Sequence, residues 1–147
     1  MKKTKKIICQ YCGGYGKIEN SLRIYQKDYG YIYICENYPS CDAYVGYHIG
    51  TKKPMGWMAN EELRAWRKEA HKYFDSLWKY KIKILDRQNG FRVAHKKIAR
   101  YAAYNWLSNE LSIEKKYCHI AMFDVELCQL TIEICEPYYE KLNKSYK

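Results

Sequence analysis

This chain of 147 residues lacks the features that mark several broad classes of protein. It has no uninterrupted apolar run of membrane-spanning length, so a transmembrane helix is not predicted. It has no internal repeat and no low-complexity segment, which excludes a repeat array. Only Ile7 and Ile8 separate the basic N-terminus from the first cysteine. That is too short for the apolar core of a secretory signal, and we therefore expect a cytoplasmic protein, in the host cytoplasm if the gene is carried by a phage.

Acidic residues are few. Sixteen Asp and Glu stand against 26 Lys and Arg, which gives a net charge of +10. This balance favours an anionic partner such as nucleic acid or a nucleoprotein. The alternative is a soluble basic surface with no particular ligand. Since 48% of the residues are apolar, the chain has enough material for one domain, or for one domain with a small metal-held lobe.

The seven cysteines do not predict a disulfide framework, because their number is odd and no signal segment is expected. Four of them form two short pairs, Cys9 with Cys12 and Cys35 with Cys41. Two such pairs bring four thiolates around one tetrahedral ion, and Gly13 and Gly14 allow the positive φ that such a turn often needs. The spacing predicts one structural Zn²⁺ held by Cys9, Cys12, Cys35 and Cys41, with no open position for a substrate.

The expected fold is α+β, with an N-terminal four-cysteine zinc ribbon of β hairpins packed on a C-terminal helical part of about three helices. Strands are predicted over 30–35 and 44–47, where aromatic and β-branched residues alternate. The predicted divisions are a basic tail over 1–6, a zinc ribbon over 7–50, a linking loop over 51–59 and a helical part over 60–147.

The helical part begins with an N-cap at Asn60, followed by Glu61 and Glu62 in the first turn. The inward residues expected for this first helix are Leu63, Trp66, Ala70, Phe74 and Leu77. A second helix is predicted near Phe91, after Asn89-Gly90. Its expected inward residues are Ala94, Ile98, Tyr101 and Ala102, with Trp106 close by, and a basic row of Arg92, Lys96 and Arg100. A third helix is predicted near Asp124. It carries Val125, Cys128, Ile132 and Cys135 inward and stops or kinks at Pro137.

The candidate partner-binding residues combine a basic helix face with aromatic ribbon residues. On the first helix they are Arg64, Arg67, Lys68 and Lys72, whose spacing predicts one exposed face away from the core. On the ribbon they are Tyr31 and Tyr33. Seventeen tyrosines and four tryptophans exceed what a small core needs. They are suited either to stacking single-stranded bases or to a protein interface, and the sequence does not separate the two.

Two further constellations are open to a metal or a catalytic interpretation. The first is a second metal site formed by Cys118, His119, Cys128 and Cys135. Its spacing is loose, and the seven-residue interval between Cys128 and Cys135 is typical of core positions. The second is a nuclease site assembled from His48, His71, Asp75, His95, His119 and Asp124. No recognised nuclease spacing is present, so no catalytic residue is predicted. His71 and His119 are expected to be hydrogen-bonded between helices.

The N-terminal third resembles the C-terminal zinc ribbons of bacterial type I topoisomerases, because Cys35-Glu-Asn-Tyr-Pro-Ser-Cys41 follows their Cys-x-x-Tyr-Pro-x-Cys pattern. The matching residues are Cys9, Cys12, Gly13, Cys35, Asn37, Tyr38, Pro39 and Cys41. Those ribbons grip single-stranded DNA through aromatic and basic residues, and the resemblance implies a similar use here.

Nearly the whole chain resembles a phage and prophage family described as a zinc-finger-containing domain of unknown function. The runs that carry this resemblance are Cys41-Asp-Ala-Tyr-Val-Gly46, Pro54-Met-Gly56, Ala59-Asn60-Glu61, Tyr104-Asn-Trp-Leu107 and Cys118-His-Ile-Ala-Met-Phe-Asp124. Ala121 stands where we expect glycine in the last run. The resemblance implies a zinc site and a phage context, and it implies no activity.

The function predicted from these features is non-enzymatic binding of nucleic acid or of a host nucleoprotein machine by a zinc-binding phage protein. The alternative is an anti-CRISPR protein that binds a Cas9-type effector and blocks DNA loading, an analogy based on phage context and size. The third hypothesis is a metal-dependent nuclease.

Overall fold

A computed structural model of the chain describes residues 7–48 and 50–144. The predicted basic tail, residues 1–6, lies outside the described residues. The chain divides into two compact units, Met1–Arg64 and Ala65–Lys147. We call the described part of the first the ribbon and that of the second the helical unit.

The ribbon contains three antiparallel strands in the order β1-β2-β3: β1 is Gly16–Asn20, β2 is Tyr31–Cys35 and β3 is Tyr44–Gly46. The alternation of Tyr and Ile along β2 sorts its side chains. Ile32 and Ile34 are buried on one face, whereas Tyr31 is exposed on the other. In the antiparallel register Cys35 lies opposite Gly16, so β2 ends with its last residue at the start of β1. The predicted N-terminal zinc-binding ribbon is confirmed.

The segment 51–59, expected as a linking loop, is hydrogen-bonded to the ribbon. Met55 N–H donates to the Gly46 carbonyl at 2.8 Å, and Tyr44 and Ala59 exchange two backbone hydrogen bonds at 3.1 and 3.0 Å. Met58 is buried. The segment therefore lies along β3 and satisfies backbone groups that a sheet edge would otherwise leave unpaired.

Three helices follow, α1 over Glu61–Asn89, α2 over Ala94–Leu111 and α3 over Val125–Lys144. The predicted N-cap is present, since Asn60 Oδ1 accepts from the Leu63 N–H at 3.0 Å. Asp124 caps α3 in the same way, through the Leu127 N–H at 2.8 Å. The prediction that α3 stops or kinks at Pro137 is wrong about the end of the helix, because Pro137 lies inside α3, which continues to Lys144. Within the described residues, no helix is both long and apolar enough to cross a membrane.

The predicted inward stripe of α1 is correct at three positions and wrong at two. Leu63, Ala70 and Phe74 are buried, but Trp66 and Leu77 are only half-buried. The positions one residue further along, Arg67 and Trp78, are buried in their place. Each buries a polar group that has a partner: Arg67 Nε donates to the Phe123 carbonyl at 3.1 Å, and Trp78 Nε1 donates to Asp75 at 2.9 Å.

The predicted inward face of α2 is wrong. Ile98 and Tyr101 are 55% and 60% exposed, and Ala94 and Ala102 are exposed as well. The buried residues of α2 are His95, Ala99, Tyr104, Leu107 and Ser108. Two of them are amphipathic residues with specific partners. His95 Nδ1 lies 2.6 Å from the Asp86 carboxylate of α1, and the Tyr104 ring lies 4.6 Å from that of Phe74. The helix therefore buries a face whose polar side chains find partners, and it leaves its most apolar stripe exposed.

Candidate metal centre

The first cysteine pair lies in a tight turn before β1. The Gly13 N–H donates to the Cys9 carbonyl at 2.9 Å, and the Cys9 N–H donates to the Gly14 carbonyl at 2.7 Å. Gly13 has a φ of 75°, a conformation that residues with a Cβ rarely adopt. These two hydrogen bonds fold the chain back on itself, so that Cys12 returns to the side of Cys9.

The second pair lies at the end of β2. Cys35 is the last residue of the strand, and its N–H donates to the Ala43 carbonyl at 3.0 Å. The following turn is closed by Tyr38 N–H donating to the Cys35 carbonyl and Cys41 N–H donating to the Asn37 carbonyl, both at 3.0 Å. The antiparallel pairing of β1 and β2 brings this turn beside the first one.

The four sulfur atoms form one cluster in which all of them lie within 4.8 Å of one another. Cys9 Sγ is 3.6 Å from Cys41 Sγ, and Cys12 Sγ is 3.3 Å from Cys35 Sγ. A tetrahedral Zn²⁺ with Zn–S bonds of about 2.3 Å requires sulfur atoms about 3.8 Å apart. The two separations lie within about half an ångström below that value, no pair exceeds 4.8 Å, and both are too long for disulfides. The donor set and its spacing therefore fit one zinc ion.

Backbone and side-chain donors surround Cys12, the exposed member of the cluster. The Asn37 amide donates to its sulfur at 3.3 Å and the Gly14 N–H at 3.4 Å. The Asn37 and Gly14 hydrogen bonds, followed by that of the Cys35 thiol, lower the pKa of Cys12 to about 6. Burial instead raises the pKa of Cys35 to about 12 and raises that of Cys41. Metal coordination deprotonates such thiols outright, and the donors to Cys12 stabilise the thiolate that results.

The centre is closed and structural. Cys9 and Cys35 are buried, together with Ala43, Val45 and Met58, in a small apolar cluster of the ribbon. Four thiolates fill the coordination of Zn²⁺ and leave no position for water or substrate. The predicted cofactor, one structural zinc ion, is confirmed. Its place in the ribbon is to hold together two turns that have little apolar core around them.

The other three cysteines are core residues of the helical unit. Cys118, Cys128 and Cys135 are all fully buried, and burial raises their pKa values to about 11, about 11 and about 12. Within residues 7–48 and 50–144, the ribbon cysteines are the one group of three or more potential metal ligands that comes together. Cys118, His119, Cys128 and Cys135 are not brought into a second cluster there.

The histidines predicted as possible nuclease residues are also dispersed. His71 pairs with Asp75 at 3.1 Å one turn along α1, rather than between helices as expected. His95 pairs with Asp86, a residue that the sequence analysis did not single out. The His119 ring lies 5.2 Å from that of Tyr104 on α2.

The predicted exposed row on α1 is not a single face. Arg67 is 9% exposed, and its Nε donates to the Phe123 carbonyl, so it supports the core of the helical unit. Arg64 is half-buried; it donates to the carbonyls of Asp42 and Ala59 and lies 3.9 Å over the Tyr44 ring. The expectation that both arginines lie outside the core is therefore wrong. Lys68 and Lys72 are exposed as predicted. A role for these four residues in partner binding stays a prediction.

On the ribbon, Tyr31 is exposed and Tyr33 is half-buried. The Tyr33 hydroxyl donates to the Lys52 carbonyl, and its ring lies 5.3 Å from that of Tyr47. Tyr31, Tyr47 and Lys52 line one open groove on this face. The structure thus brings the two predicted tyrosines to one side of β2, while their role in binding stays a prediction.

Residues 79–116 hold a concentration of exposed cations, which we call the basic surface, and the sequence analysis named only Arg92, Lys96 and Arg100 of it. This segment holds ten Lys and Arg against three Asp and Glu, and all ten cations are exposed. They are Lys79, Lys81, Lys83, Arg87, Arg92, Lys96, Lys97, Arg100, Lys115 and Lys116. A count of charge by segment would have found it. Lysine and arginine occur in almost every segment of the chain. Only a comparison with the acidic residues of the same segment shows where positive charge is in excess.

The sequence profile of a family described as a zinc-finger-containing domain matches residues 5–138. No curated protein and no solved structure matches the chain. The family predicted from the sequence is thereby confirmed, whereas the phage context and the topoisomerase resemblance stay predictions.

Proposed function

The chain belongs to this family of zinc-finger-containing domains, and we propose that it is a non-enzymatic protein that binds nucleic acid through the basic surface of residues 79–116. The observation that carries the proposal is the concentration of exposed cations there. Ten cations and three acidic residues give this segment a net charge of +7, out of +10 for the whole chain. The ribbon, by contrast, has six of each sign over 7–64.

A surface of this kind attracts phosphates without reading sequence. Clustered Lys and Arg release counterions from a nucleic acid, which supplies most of the affinity of non-specific binding. Long exposed lysines on α1 and α2 are suited to this role because their ammonium groups can follow a backbone of variable shape. The proposal is therefore binding along a backbone, with affinity that depends strongly on salt.

Exposed aromatic side chains lie among these cations. Phe91 is 80% exposed and Tyr101 is 60% exposed, which is unusual for rings of this size. Lys115 Nζ lies 3.3 Å from the centroid of the Tyr101 ring, so a cation and a stacking surface occur together. Aromatic rings interleaved with cations are typical of proteins that bind single strands.

The ribbon offers a second stacking surface that supports the same proposal. Its groove is lined by Tyr29, Tyr31 and Tyr47, with Lys52 at the side. This agrees with the predicted use of Tyr31. The zinc ion, in this proposal, fixes the strands that carry the tyrosines and takes no part in chemistry.

The absence of turnover is part of the proposal. It is supported by the closed four-thiolate shell, which leaves zinc no site for an attacking water. It is further supported by the dispersal of His71, His95 and His119 into separate pairs and contacts within the described residues.

The test compares two matched double charge reversals, measured by fluorescence anisotropy with a single-stranded and a double-stranded oligonucleotide. Lys81→Glu/Lys96→Glu changes the basic surface, and Lys68→Glu/Lys72→Glu changes exposed lysines outside it. All four lysines are exposed on helices, so neither variant is expected to unfold.

In wild type, the logarithm of affinity is expected to fall linearly with the logarithm of salt. The first variant should reduce that slope by about one for each phosphate that it no longer neutralises, and the second should leave the slope nearly unchanged.

Equal slopes for both variants would place binding elsewhere, and no binding at low salt by wild type would overturn the proposal. Cleavage of the oligonucleotide by pure protein with Mg²⁺ or Mn²⁺ would instead favour the nuclease hypothesis.

A protein partner is the second candidate, because three apolar side chains at α2 have an exposure that phosphate binding does not explain. They are Phe91, Val93 and Ile98, at 80%, 82% and 55% exposed. Apolar side chains beside cations fit a protein with an acidic, partly apolar surface, including a Cas9-type effector. Two results together would favour this candidate. The effector should be captured by wild type and not by Phe91→Ser, and free oligonucleotides should bind wild type only weakly.

A further inference from the structure

The helical unit contains a cavity of about 150 Å³ between α2 and the chain that follows it, within the basic surface. Its walls are mostly apolar. Two of its lining residues, Tyr104 and Cys118, are buried. Because the cavity is partly enclosed, it differs from the open ribbon groove, and a small planar group fits it better than an extended strand.

The floor of the cavity belongs to a cluster of tilted aromatic rings. The centroid of the Tyr104 ring lies 4.6 Å from that of Phe74 and 5.2 Å from that of His119, and the Arg100 guanidinium lies 5.2 Å over the same ring. Burial raises the pKa of the Tyr104 phenol, so it is neutral at physiological pH. A neutral aromatic floor held by neighbouring rings is pre-organised for contact with a further planar group.

The rim of the cavity carries three exposed cations. Lys97 and Arg100 are three residues apart on α2 and therefore project from the same side of the helix, and Lys115 lies in the turn that follows it. Tyr101 completes the rim, with the Lys115 ammonium over its ring. None of the described residues that line the cavity is acidic.

We propose that this cavity takes one unstacked base of a single-stranded nucleic acid, with the adjoining phosphates on the cations of the rim. An apolar aromatic interior is suited to the base, and Lys97, Arg100 and Lys115 are suited to the backbone on either side. This inference rests on the proposed nucleic-acid binding and adds to it the form of the ligand. A base in a duplex would have to be unstacked and unpaired first, so the cavity favours single strands.

The experiment uses the full chain, a 12-mer of thymidylate and an abasic 12-mer with the same number of phosphates. Tyr101 is the residue to change, because it is exposed and its loss should not affect folding. Tyr101→Leu removes the ring at similar volume, and Tyr101→Phe keeps it as a matched control. Wild type should bind the thymidylate strand roughly tenfold more tightly than the abasic strand, as expected for stacking of one base on an aromatic residue. Tyr101→Leu should lose that difference, and Tyr101→Phe should retain it.

A second measurement locates the base directly. Irradiation of a strand that carries 4-thiothymidine should cross-link it within residues 97–119, as mapped by mass spectrometry of the digested protein. Cross-linking confined to other segments would overturn the cavity assignment, whatever Tyr101→Leu does.

The outcomes separate this inference from the proposed function. Salt-dependent binding with equal affinity for both strands would overturn the cavity and leave backbone binding intact. Equal loss of affinity for both strands in Tyr101→Leu would show that Tyr101 acts on the backbone, which also overturns it. No binding of either strand by wild type would overturn the inference and the proposed function together.

Discussion

The ribbon and the helical unit reach stability by different means. The ribbon buries few large side chains completely, Ile34 and Met58 among those described, and its ligands Cys9 and Cys35 belong to a small buried cluster. The helical unit buries large side chains completely, among them Phe74, Leu107, Ile120 and Phe123. Three short strands with so small a core are marginally stable alone, and a metal supplies what the core does not. Cysteine accordingly serves as a ligand in the first unit and as a small apolar residue in the second.

Charge follows the same division. The ribbon is neutral over 7–64, and residues 65–147 carry a net charge of +6. The part of the chain that holds the metal is therefore not the part that best attracts an anion. Under the proposed function, the zinc ribbon does not by itself locate the binding surface.

The largest expected effect comes from removing one ligand of the zinc ion. Cys12 is exposed, so Cys12→Ser costs little packing and tests the metal alone. We expect loss of zinc and of hydrogen-exchange protection across residues 7–64. Metal binding supplies on the order of 10 kcal/mol in small zinc domains. Protection in the helical unit should change little, because its core contains no ligand of the metal.

The matched control for Cys12→Ser is Cys128→Ser, which changes a buried cysteine of the helical unit and should leave the zinc content at one per chain. Full zinc occupancy in a protein that lacks all four ribbon cysteines would contradict the assignment. So would loss of zinc from Cys128→Ser alone.

The second largest effect is expected from a substitution that destabilises the helical unit and leaves the zinc ion in the ribbon. Phe74 is fully buried against Tyr104, and Phe74→Ala should destabilise the helical unit by about 3–5 kcal/mol through lost transfer energy and a cavity. The zinc content should not change. Urea unfolding followed by near-ultraviolet circular dichroism measures the first quantity and metal analysis the second. Release of zinc at native conditions would show that the two units do not have separate sources of stability.

The sequence predicted the metal centre better than the helix faces, for a physical reason. A Cys-x2-Cys turn and a second close pair have few geometries besides a shared ion, so spacing alone identifies Cys9, Cys12, Cys35 and Cys41. A helix face is decided by which side chains find partners. Apolar periodicity placed Ile98 and Tyr101 inside, yet His95 is buried because Asp86 faces it. No pattern local to α2 contains that information.

Arg67 illustrates the same limit within α1. It was predicted to share an exposed face with Lys68, but it takes a core position of the helix because the Phe123 carbonyl accepts from it. That carbonyl lies 56 residues further along the chain, and no helical pattern predicts it.

Adjacent substitutions on α1 test this correction. Arg67→Gln should destabilise the helical unit by about 1–3 kcal/mol, since a buried carbonyl loses its charged donor, whereas Lys68→Gln should stay within about 0.5 kcal/mol. Thermal unfolding of both variants gives the comparison. Similar stabilities for the two would restore the predicted exposed row, with Arg67 available to a partner.

The smallest effect concerns the acid sensitivity of the helical unit. Burial alone raises the pKa of Asp75, but hydrogen bonds from His71 and the Trp78 indole outweigh it, so the pKa of this carboxyl lies below its usual range. A carboxyl with a lowered folded-state pKa stabilises the protein above its unfolded pKa of about 3.9, and that contribution is lost as the pH falls through the folded-state value.

Asp75→Asn keeps an oxygen for Trp78 Nε1 and removes the charge. At pH 7 we expect it to be less stable than wild type by about 1 kcal/mol, and at pH 3 the difference should shrink. Urea midpoints at the two pH values measure this, with Glu69→Gln on the same helix as the exposed carboxylate for comparison. A difference that stays constant from pH 7 to pH 3 would mean that the charge of Asp75 does not stabilise the fold, and that only its shape and hydrogen bonds do.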